Sequence, residues 1–511
     1  MMSIPSLQPN SLPKRRLVLR AAAFAAGLLF LASVLPGEAG AFPKGSRPPA
    51  RASQEIRPSP SPAKRSPRPT KYKAPKKKRA CKEDDRACRV DQTVDEIEIE
   101  IESVAKHYQK GNIWTIDDAA EQPRSTGGKI ARDFLNVPTY IGRAITWPFA
   151  VLGHFLIQEG VIRKTVEICS NDERTFWIYP KLELGFGSGF GGGIGIRHYD
   201  LGEKNWRLNA SYVVHVNLDQ RGEFTLGKPD IAMIADRPVS LALGTNITHL
   251  GSAQFYGVGP TTSRSDEAHY QLDELQAGGE VGYEPLSNLF IRTSFRIIAD
   301  SSGTGNESPS VDQLFPSSDL AGFDKQLVYA DMGFRLLHDD RDATAAPERG
   351  GRREVAVEYF QGLGSTRQDY FEWRVNVEQF IRAWLPRHVL AFRTSWIMQH
   401  GTGAEGVPFF RLATFDVNSP ARGFAAGRFH DTGRAVFNVE YRYPIWRFLD
   451  GDFFFDTGRV FHGPADFSFK HFRYSGGAGL RMRTSNYFLF RAELAYGGEG
   501  MRFLFKTSQA F

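Results

Sequence analysis

The sequence predicts an all-β protein whose last roughly 340 residues form a 16-stranded antiparallel transmembrane β-barrel. Three observations support this prediction. From Phe176 onward, many segments alternate apolar and polar residues, which is typical of strands with one face in lipid and the other toward a polar interior. There are sixteen such segments, and the three longest connections between them all follow odd-numbered segments. The chain also begins with an export signal.

Residues 1–41 are predicted to be a signal peptide. Basic residues between Lys14 and Arg20 precede an apolar core from Ala21 to Leu35, and the small residues Ala39-Gly40-Ala41 follow. Cleavage is expected after Ala41. The alternative is a retained N-terminal anchor helix, but the break at Pro36-Gly37 favours the signal peptide. Export would place the mature protein in an oxidising compartment.

Residues 42–80 are predicted to be a disordered linker, because Pro, Lys, Arg, Ser and Ala dominate them and leave little apolar surface to bury. The first 80 residues hold 17 of the 64 Lys and Arg but 2 of the 57 Asp and Glu, which leaves 47 basic and 55 acidic residues. The net charge of +7 therefore comes from the first 80 residues, and the rest of the chain is mildly acidic. Nucleic acid is not an expected partner of an exported protein. A charged spacer is the expected role, with contact to anionic lipid or cell-wall polymer as the alternative.

Residues 81–172 are predicted to be a short mixed segment, either periplasmic or interfacial. Cys81 and Cys88 lie close together and predict a small disulfide-closed loop, which leaves Cys169 over. Two close cysteines without ligand-spaced histidines do not support a metal site. The apolar, Trp-containing stretch 140–157 is interpreted as an amphipathic helix at the membrane interface or against the barrel. Ordinary core packing is the open alternative for that stretch.

The barrel is predicted to occupy residues 173–511. In one segment, Phe437, Val439 and Tyr441 alternate with Asn438 and Glu440, so the two faces of this strand lie in different solvents. Turn signals define the remaining segments in the same way. The predicted strands are 177–187, 190–200, 204–217, 220–230, 236–248, 269–284, 287–300, 326–338, 351–363, 369–383, 387–401, 432–445, 449–461, 470–484, 487–497 and 500–509.

The connections between these strands differ in length according to parity. The three longest, 249–268, 301–325 and 402–431, all follow odd-numbered strands, and most connections after even-numbered strands are short. Bacterial barrels place long loops outside and short turns in the periplasm, so both termini are expected inside. The connection 339–350, after the eighth strand, is longer than a tight turn. A soluble β-sandwich, the alternative, has no reason to place long connections on one parity.

Several passages are similar to motifs of one family in order and spacing. Ser419-Pro420-Ala421-Arg422-Gly423-Phe424 is similar to an Arg-Gly-Phe/Tyr loop motif, and segments 440–444 and 453–458 are similar to the two strands after it. Segments 255–259 and 339–350 resemble a further loop motif and a turn. The sequence thus resembles the BamA/TamA superfamily of outer-membrane assembly and translocation barrels, also called the bacterial surface antigen family. The terminal Phe511 is similar to the C-terminal signal of many bacterial outer-membrane barrels.

The resemblance implies that the loop before the twelfth strand folds into the lumen and that Arg422, Gly423 and Phe424 form a latch there. A desolvated guanidinium needs carboxylate partners. Glu440 faces the lumen by the alternation above, and Asp456 lies on the neighbouring strand. Arg422 is therefore expected beside these two acids. The alternative is a surface arginine in a flexible loop, with two unrelated acids in the lumen.

Family members that assemble or secrete proteins carry periplasmic polypeptide-transport-associated (POTRA) repeats, and residues 81–172 do not fit the pattern of such repeats. The expected function is insertion or translocation of protein or lipid by a barrel whose first and last strands can separate. The Gly-rich first hairpin, residues 185–195, would weaken that seam or would instead relieve crowding. The alternatives are a gated or passive pore for small solutes and a structural protein that tethers the envelope.

Enzymatic activity is not expected, because no Ser/His/Asp, Cys/His or paired-carboxylate arrangement occurs at motif spacing. No cofactor is expected either. The expected partners are outer-membrane lipids, client outer-membrane proteins and a periplasmic protein. The expected location is the bacterial outer membrane.

Overall fold

The computed structural model describes residues 161–185, 189–344, 346–403, 405–415, 421–445, 449–483 and 488–506. The predicted signal peptide, the linker, the Cys81–Cys88 disulfide, most of segment 81–172 and Phe511 lie outside these ranges. In the described part of the chain, no helix is long and apolar enough to cross a membrane.

The described residues form one large antiparallel sheet with a helix before it. This helix is α1 (Val161–Cys169), and a single helical turn, α2 (Val311–Leu314), lies in a later connection. The sheet contains sixteen strands, and two further short strands pair with each other. The strands are β1 (Phe176–Gly185), β2 (Gly189–Leu201), β3 (Trp206–His215), β4 (Gln220–Ile234), β5 (Arg237–Phe255), β6 (Ala268–Leu286), β7 (Leu289–Thr304), β8 (Gln326–Asp339), β9 (Gly350–Gly362), β10 (Tyr370–Arg382), β11 (Val389–Gly401), β12 (Ala413–Thr414), β13 (His430–Asp431), β14 (Gly433–Pro444), β15 (Leu449–Phe461), β16 (Arg473–Arg483), β17 (Phe488–Gly497) and β18 (Gly500–Lys506).

Each strand of the large sheet pairs with the next one along the chain, except that β11 pairs with β14. The short strands β12 and β13 form their hairpin inside the connection between these two. Each of the sixteen predicted strands overlaps one strand of the sheet. The predicted 16-stranded antiparallel barrel is therefore confirmed.

Contacts between distant connections show that the sheet rolls up. Arg264, in the connection after β5, donates a 2.9 Å hydrogen bond to the main-chain oxygen of Glu499, between β17 and β18. These strands are the fifth and the fifteenth of the sheet. In a flat sheet they would lie about 50 Å apart, at ~4.8 Å per strand. A direct contact between their connections is what a barrel provides.

The two faces of the sheet have opposite chemistry. In β14, Asn438 and Glu440 are 1 % and 0 % exposed, whereas Val439 on the other face is 37 % exposed. Large apolar side chains are exposed on the outer face of many strands, among them Phe295, Phe334, Trp373, Phe453, Leu494 and Phe503. An outer wall of exposed apolar residues around a charged interior is typical of a barrel in lipid.

Two long connections are shorter than predicted because their strands project beyond the bilayer. β5 extends to Phe255 and β6 begins at Ala268, so the connection spans 256–267 rather than 249–268. β7 likewise extends to Thr304. Both extensions pair with the first residues of β6, one on each side of that strand. Side chains there pack against other connections, as Phe255 does against Phe315 and Phe409, so the simple alternation of the membrane-spanning part does not continue.

The turn after β8 is long because its own side chains hold it. Asp340 accepts hydrogen bonds from the main-chain nitrogen of Gly351 at 2.6 Å and from Arg353 at 3.1 Å. Arg341 donates to Asp339 at 3.0 Å, and Asp342 accepts from the main-chain nitrogen of Glu348 at 2.9 Å. The side chains of the acidic residues thus add to the main-chain pairs that this segment keeps, such as the 3.0 Å bond from the main-chain nitrogen of Asp340 to the main-chain oxygen of Gly351.

The glycines of the first hairpin make room for neighbouring groups in the lumen. A Cβ atom at Gly193 would lie 1.9 Å from the main-chain oxygen of Tyr212, and one at Gly195 would lie 2.5 Å from the ring of Tyr179. Both distances are too short for a side chain. The sequence left two interpretations of these glycines open, a weakened seam and relief of crowding, and the geometry favours relief of crowding.

Candidate functional site

The connection between β11 and β14, described over residues 402–403, 405–415 and 421–432, enters the lumen, and these residues are called the lumen loop below. Its first half packs against the wall formed by β6 to β10. The ring of Phe409 lies 4.8 Å from that of Tyr270, and Arg411 donates hydrogen bonds of 2.5 and 2.7 Å to Asp300. Its second half contacts the opposite wall, formed by β14 to β17. The lumen loop therefore spans the interior of the barrel.

Arg422 joins the lumen loop to three strands. Its Nε and Nη2 donate to the two carboxylate oxygens of Asp456 at 2.8 and 2.7 Å, and its main-chain nitrogen donates to Asp456 at 3.0 Å. Nη1 donates to Glu440 at 2.6 Å and to Glu493 at 3.0 Å. The guanidinium carbon lies 3.6 Å from the ring centroid of Phe454. These five residues are called the Arg422 cluster.

The cluster is fully desolvated, since Arg422 is 1 % exposed and Glu440 and Asp456 are 0 % exposed. A buried ion pair is stable only if each charge finds enough partners. Arg481 donates to Glu440 at 2.7 Å, and Arg491 donates to Glu493 at 2.8 Å. Arg442 also donates to Glu440 at 2.9 Å, so Glu440 is shared between three guanidiniums and Glu493 between two, and the attraction is spread over several charges.

Gly423 permits the close approach of the lumen loop to the wall. A Cβ atom at this position would lie 2.5 Å from Cβ of Ser475 and 2.8 Å from Cα of Gly497. Both neighbours are fixed by the sheet, so only glycine fits here. The next residue, Phe424, is 5 % exposed and packs with Phe415 and other aromatic residues of the loop. The three residues therefore supply charge, close approach and apolar anchoring in turn.

A second arginine of the lumen loop binds the outer end of the barrel. Arg428 donates to Glu499 at 2.8 Å and to the hydroxyl of Thr262 at 2.9 Å, and its guanidinium carbon lies 4.6 Å from the ring of Tyr256. Burial and the neighbouring Glu267 raise the pKa of Tyr256 to about 12, so its ring stays uncharged beside Arg428. Arg428 thus ties together the lumen loop, the connection after β5 and the turn between β17 and β18.

Residues 255–259, which resemble the further loop motif of the family, also bind the lumen loop. Val258 forms a parallel bridge with His430, and the main-chain nitrogen of Gly259 donates to the main-chain oxygen of His430 at 2.8 Å. Gly257 and Gly259 have φ angles of +89° and +106°, which favour glycine. Burial and the nearby Arg428 lower the pKa of His430 to about 4.

The structure brings together the sequence-predicted residues Arg422, Glu440 and Asp456. Sequence reasoning did not include Glu493 or Phe454 as partners of Arg422. Alternation places Glu493 on the lumen side of its strand, but its height relative to Arg422 depends on the register of β16, β17 and their neighbours. The predicted disulfide and the terminal Phe511 lie outside the described residues.

A cavity of about 270 Å³ lies beneath the first half of the lumen loop. The charged residues that line this cavity form ion pairs with each other: a guanidinium nitrogen of Arg296 lies 3.4 Å from a carboxylate oxygen of Glu358, and one of Arg411 lies 2.7 Å from one of Glu274. Within the described ranges, no group of three or more His, Cys, Asp or Glu side chains is placed to hold a metal ion. Cys169 is buried and unpaired by any disulfide there.

The fold and the site together define a bacterial outer-membrane barrel whose lumen is crossed by its own arginine-pinned loop. Residues 187–511 match the family model of the Omp85 superfamily domain. The chain belongs to the Omp85 superfamily, whose members are outer-membrane barrels for protein insertion or translocation, and it is a protein of the bacterial outer membrane. In the described part of the chain, no POTRA-like domain precedes the barrel.

Two solved structures are similar in fold. BamA from Haemophilus ducreyi lacking POTRA domains 1–3 aligns with a TM-score of 0.51 and 15 % identity, over 65 % of this chain and 69 % of that chain. CdiB from Acinetobacter baumannii aligns with a TM-score of 0.41 and 11 % identity, over 65 % of this chain and 58 % of that chain. A comparison with curated protein sequences finds no significant match.

Proposed function

We propose that this barrel inserts protein or lipid into the outer membrane, or translocates it across, by a non-enzymatic mechanism in which the lumen loop controls the last hairpin, β17–β18. One observation carries the proposal. The lumen loop is tied to this hairpin at two heights, through Arg422 to Glu493 inside the lumen and through Arg428 to Glu499 at the outer end.

The coupling follows from the chemistry of these ties. A displacement of the lumen loop would leave Glu493 without one of its two guanidinium partners and would break the charge-assisted bond at Glu499. The same motion would remove the contact between Gly423 and Gly497. Loop movement and hairpin movement are thus linked. A hairpin released at the edge of the sheet offers unpaired main-chain groups to an incoming strand.

The position of the lumen loop argues against a simple pore for small solutes. Aromatic residues of the loop pack on one wall, and the Arg422 cluster binds the opposite wall. A loop that is held across the lumen by a buried arginine would obstruct a passive channel. The tethering role rests on residues 42–80, which lie outside the described ranges, and it stays an alternative.

The proposal is tested by reconstituting the full mature chain in lipid vesicles and measuring the folding rate of an unfolded outer-membrane barrel protein added from solution. We expect the wild-type chain to accelerate folding over empty vesicles and Arg422→Ala to lose most of that acceleration. Arg382→Ala is the matched control, because Arg382 is an exposed strand-end arginine whose partner is Glu348. Equal rates for empty and loaded vesicles would contradict a role in protein insertion.

A further inference from the structure

The connection between β15 and β16, residues 462–472, folds back onto the outer wall of the barrel. Phe467 places its ring 5.1 Å from the ring of Trp396, and Phe472 places its ring 6.2 Å from that of Phe437. Trp396 and Phe437 belong to the outward faces of β11 and β14, and their rings lie 5.6 Å apart. Phe469 lies 5.8 Å from both loop phenylalanines and is 82 % exposed. These five aromatic residues are called the rim patch.

The shape of this connection is held by an arginine of the strand beneath it. Arg459 lies on the same outward face of β15 as Phe453 and Phe455, is 3 % exposed, and donates to the main-chain oxygen of Ser468 at 2.9 Å and to Asp466 at 3.1 Å. The base of the loop is therefore fixed, and the phenylalanines that follow it point to the outer side. An exposed phenylalanine on a fixed loop requires an explanation, because water is a poor environment for its ring.

The rim patch lies at the outer edge of the membrane. β15 is the thirteenth strand of the sheet, so the connection after it is external. Trp396 pairs with Ala435, two positions from the outer start of β14. Below the patch, Phe455 and Tyr474 stack at 6.1 Å and continue the lipid-facing wall downward. The rim patch is therefore continuous with the surface that contacts hydrocarbon.

The charges beside the rim patch are basic. Lys470 and His471 are exposed between Phe469 and Phe472 in the sequence. The acid of the same loop, Asp466, already pairs with Arg459. Aromatic rings prefer the boundary between acyl chains and headgroups, and a lysine beside them attracts anionic headgroups. A protein partner of opposite chemistry is not needed to account for this arrangement.

We propose that the rim patch is a docking surface for a phosphorylated lipid of the outer leaflet, with Phe467, Phe469 and Phe472 at the level of the acyl chains and Lys470 at the phosphate. The site lies two strands from the β17–β18 hairpin and is independent of the function proposed above. The ligand expected at the rim patch is a glycolipid that carries both phosphate and acyl chains. Lipid A is the probe used for this class of ligand.

Depth in the bilayer tests this proposal directly. A nitroxide label is placed at Phe469→Cys in the full chain with its native cysteines replaced, and its collisions with oxygen and with a water-soluble nickel complex are compared. The matched control is Leu314→Cys, which is 49 % exposed in α2, in another external connection. We expect the label at 469 to favour oxygen and the label at 314 to favour nickel. Equal nickel access at both positions would overturn the proposal.

The headgroup is tested in the same preparation. Vesicles of phosphatidylcholine are compared with vesicles that contain lipid A and with vesicles that contain dephosphorylated lipid A. We expect lipid A to deepen the label at 469, the dephosphorylated form to have a smaller effect, and Lys470→Glu to abolish the difference. Identical depth with both forms of lipid A would overturn the assignment of a phosphate site. Free inorganic phosphate is expected to change nothing, and an effect of phosphate equal to that of lipid A would also overturn it.

Discussion

At position 422, arginine has properties that lysine lacks. The planar guanidinium reaches Asp456 through two parallel bonds, binds Glu440 and Glu493 through another nitrogen, and presents its face to Phe454 at 3.6 Å. An ammonium group would supply a point charge without the fork or the flat face. The buried charges of the lumen wall are therefore arranged for one residue type.

Two aspartates of β15 allow a matched test of this arrangement. Asp456 binds Arg422, whereas neither carboxylate oxygen of Asp452 has a hydrogen-bond partner among the described residues, and both residues are 0 % exposed. We expect Asp456→Asn to destabilise the folded barrel by about 3–5 kcal/mol, because the buried guanidinium of Arg422 loses the one carboxylate that it binds through two parallel bonds. Asp452→Asn is expected to be neutral or stabilising, because it removes a poorly satisfied buried charge. Thermal unfolding in detergent measures both, and equal losses would contradict this account of the cluster.

Gly423 provides a steric test that leaves all charges in place. The added methyl of Gly423→Ala would lie 2.5 Å from Cβ of Ser475, so the loop must move away from the wall. We expect a loss of about 1–3 kcal/mol in the stability of the folded barrel, as for other overpacked sites. Gly476→Ala is the control, because the nearest atom to its Cβ is a main-chain oxygen at 3.5 Å. If the two variants unfold at the same temperature, the close approach of Gly423 does not matter for stability.

At the scale of elements, the lumen loop is held by the connection after β5 as well as by the wall, and one titratable residue lies at their contact. His430 is 4 % exposed, and burial with the nearby Arg428 lowers its pKa to about 4, below the ordinary value of ~6.5. The unfolded chain therefore takes up the proton first as the pH falls. Stability is expected to decrease between pH ~6.5 and pH ~4, by at most on the order of 3 kcal/mol.

This pH dependence should belong to His430 in particular. We expect His430→Gln to reduce the loss of thermal stability between neutral and mildly acidic pH. His471→Gln is the control, because His471 is exposed in the connection between β15 and β16, away from the lumen loop. A loss that is the same in wild type and in His430→Gln would assign the pH dependence to other groups.

The elements also show what sequence could and could not predict. Alternation of apolar and polar residues located all sixteen strands, because lipid and a charged lumen impose period two on each of them. The extensions of β5 and β7 were missed, because residues such as Phe255 and Ser302 contact other connections there, and those contacts do not impose period two on the sequence. The roles of Glu493 and Glu499 were missed for a different reason. They depend on the register of β17 relative to strands that are distant in sequence. Alternation tells which side of the sheet a residue faces, but not its position along the barrel axis.

At the scale of the whole molecule, the lumen loop is tied to both walls of the barrel. Apolar and aromatic contacts and the ion pairs of Arg411 hold its first half against β6 to β10, whereas Arg422, Arg428 and the apolar cluster around Phe424 hold its second half against β14 to β18. Buried charge pairs are more sensitive to loss of one partner than apolar contacts are. Release of the second half therefore requires the bonds of Arg422 and Arg428 to break.

We propose that the lumen loop, pinned by Arg422, blocks the flow of ions through the barrel. Ion conductance of the reconstituted full chain in planar bilayers tests it most directly. We expect low conductance for the wild-type chain, a clear rise for Arg422→Ala, and no rise for the control Arg382→Ala. A large, steady conductance of the wild-type chain that Arg422→Ala leaves unchanged would contradict the claim.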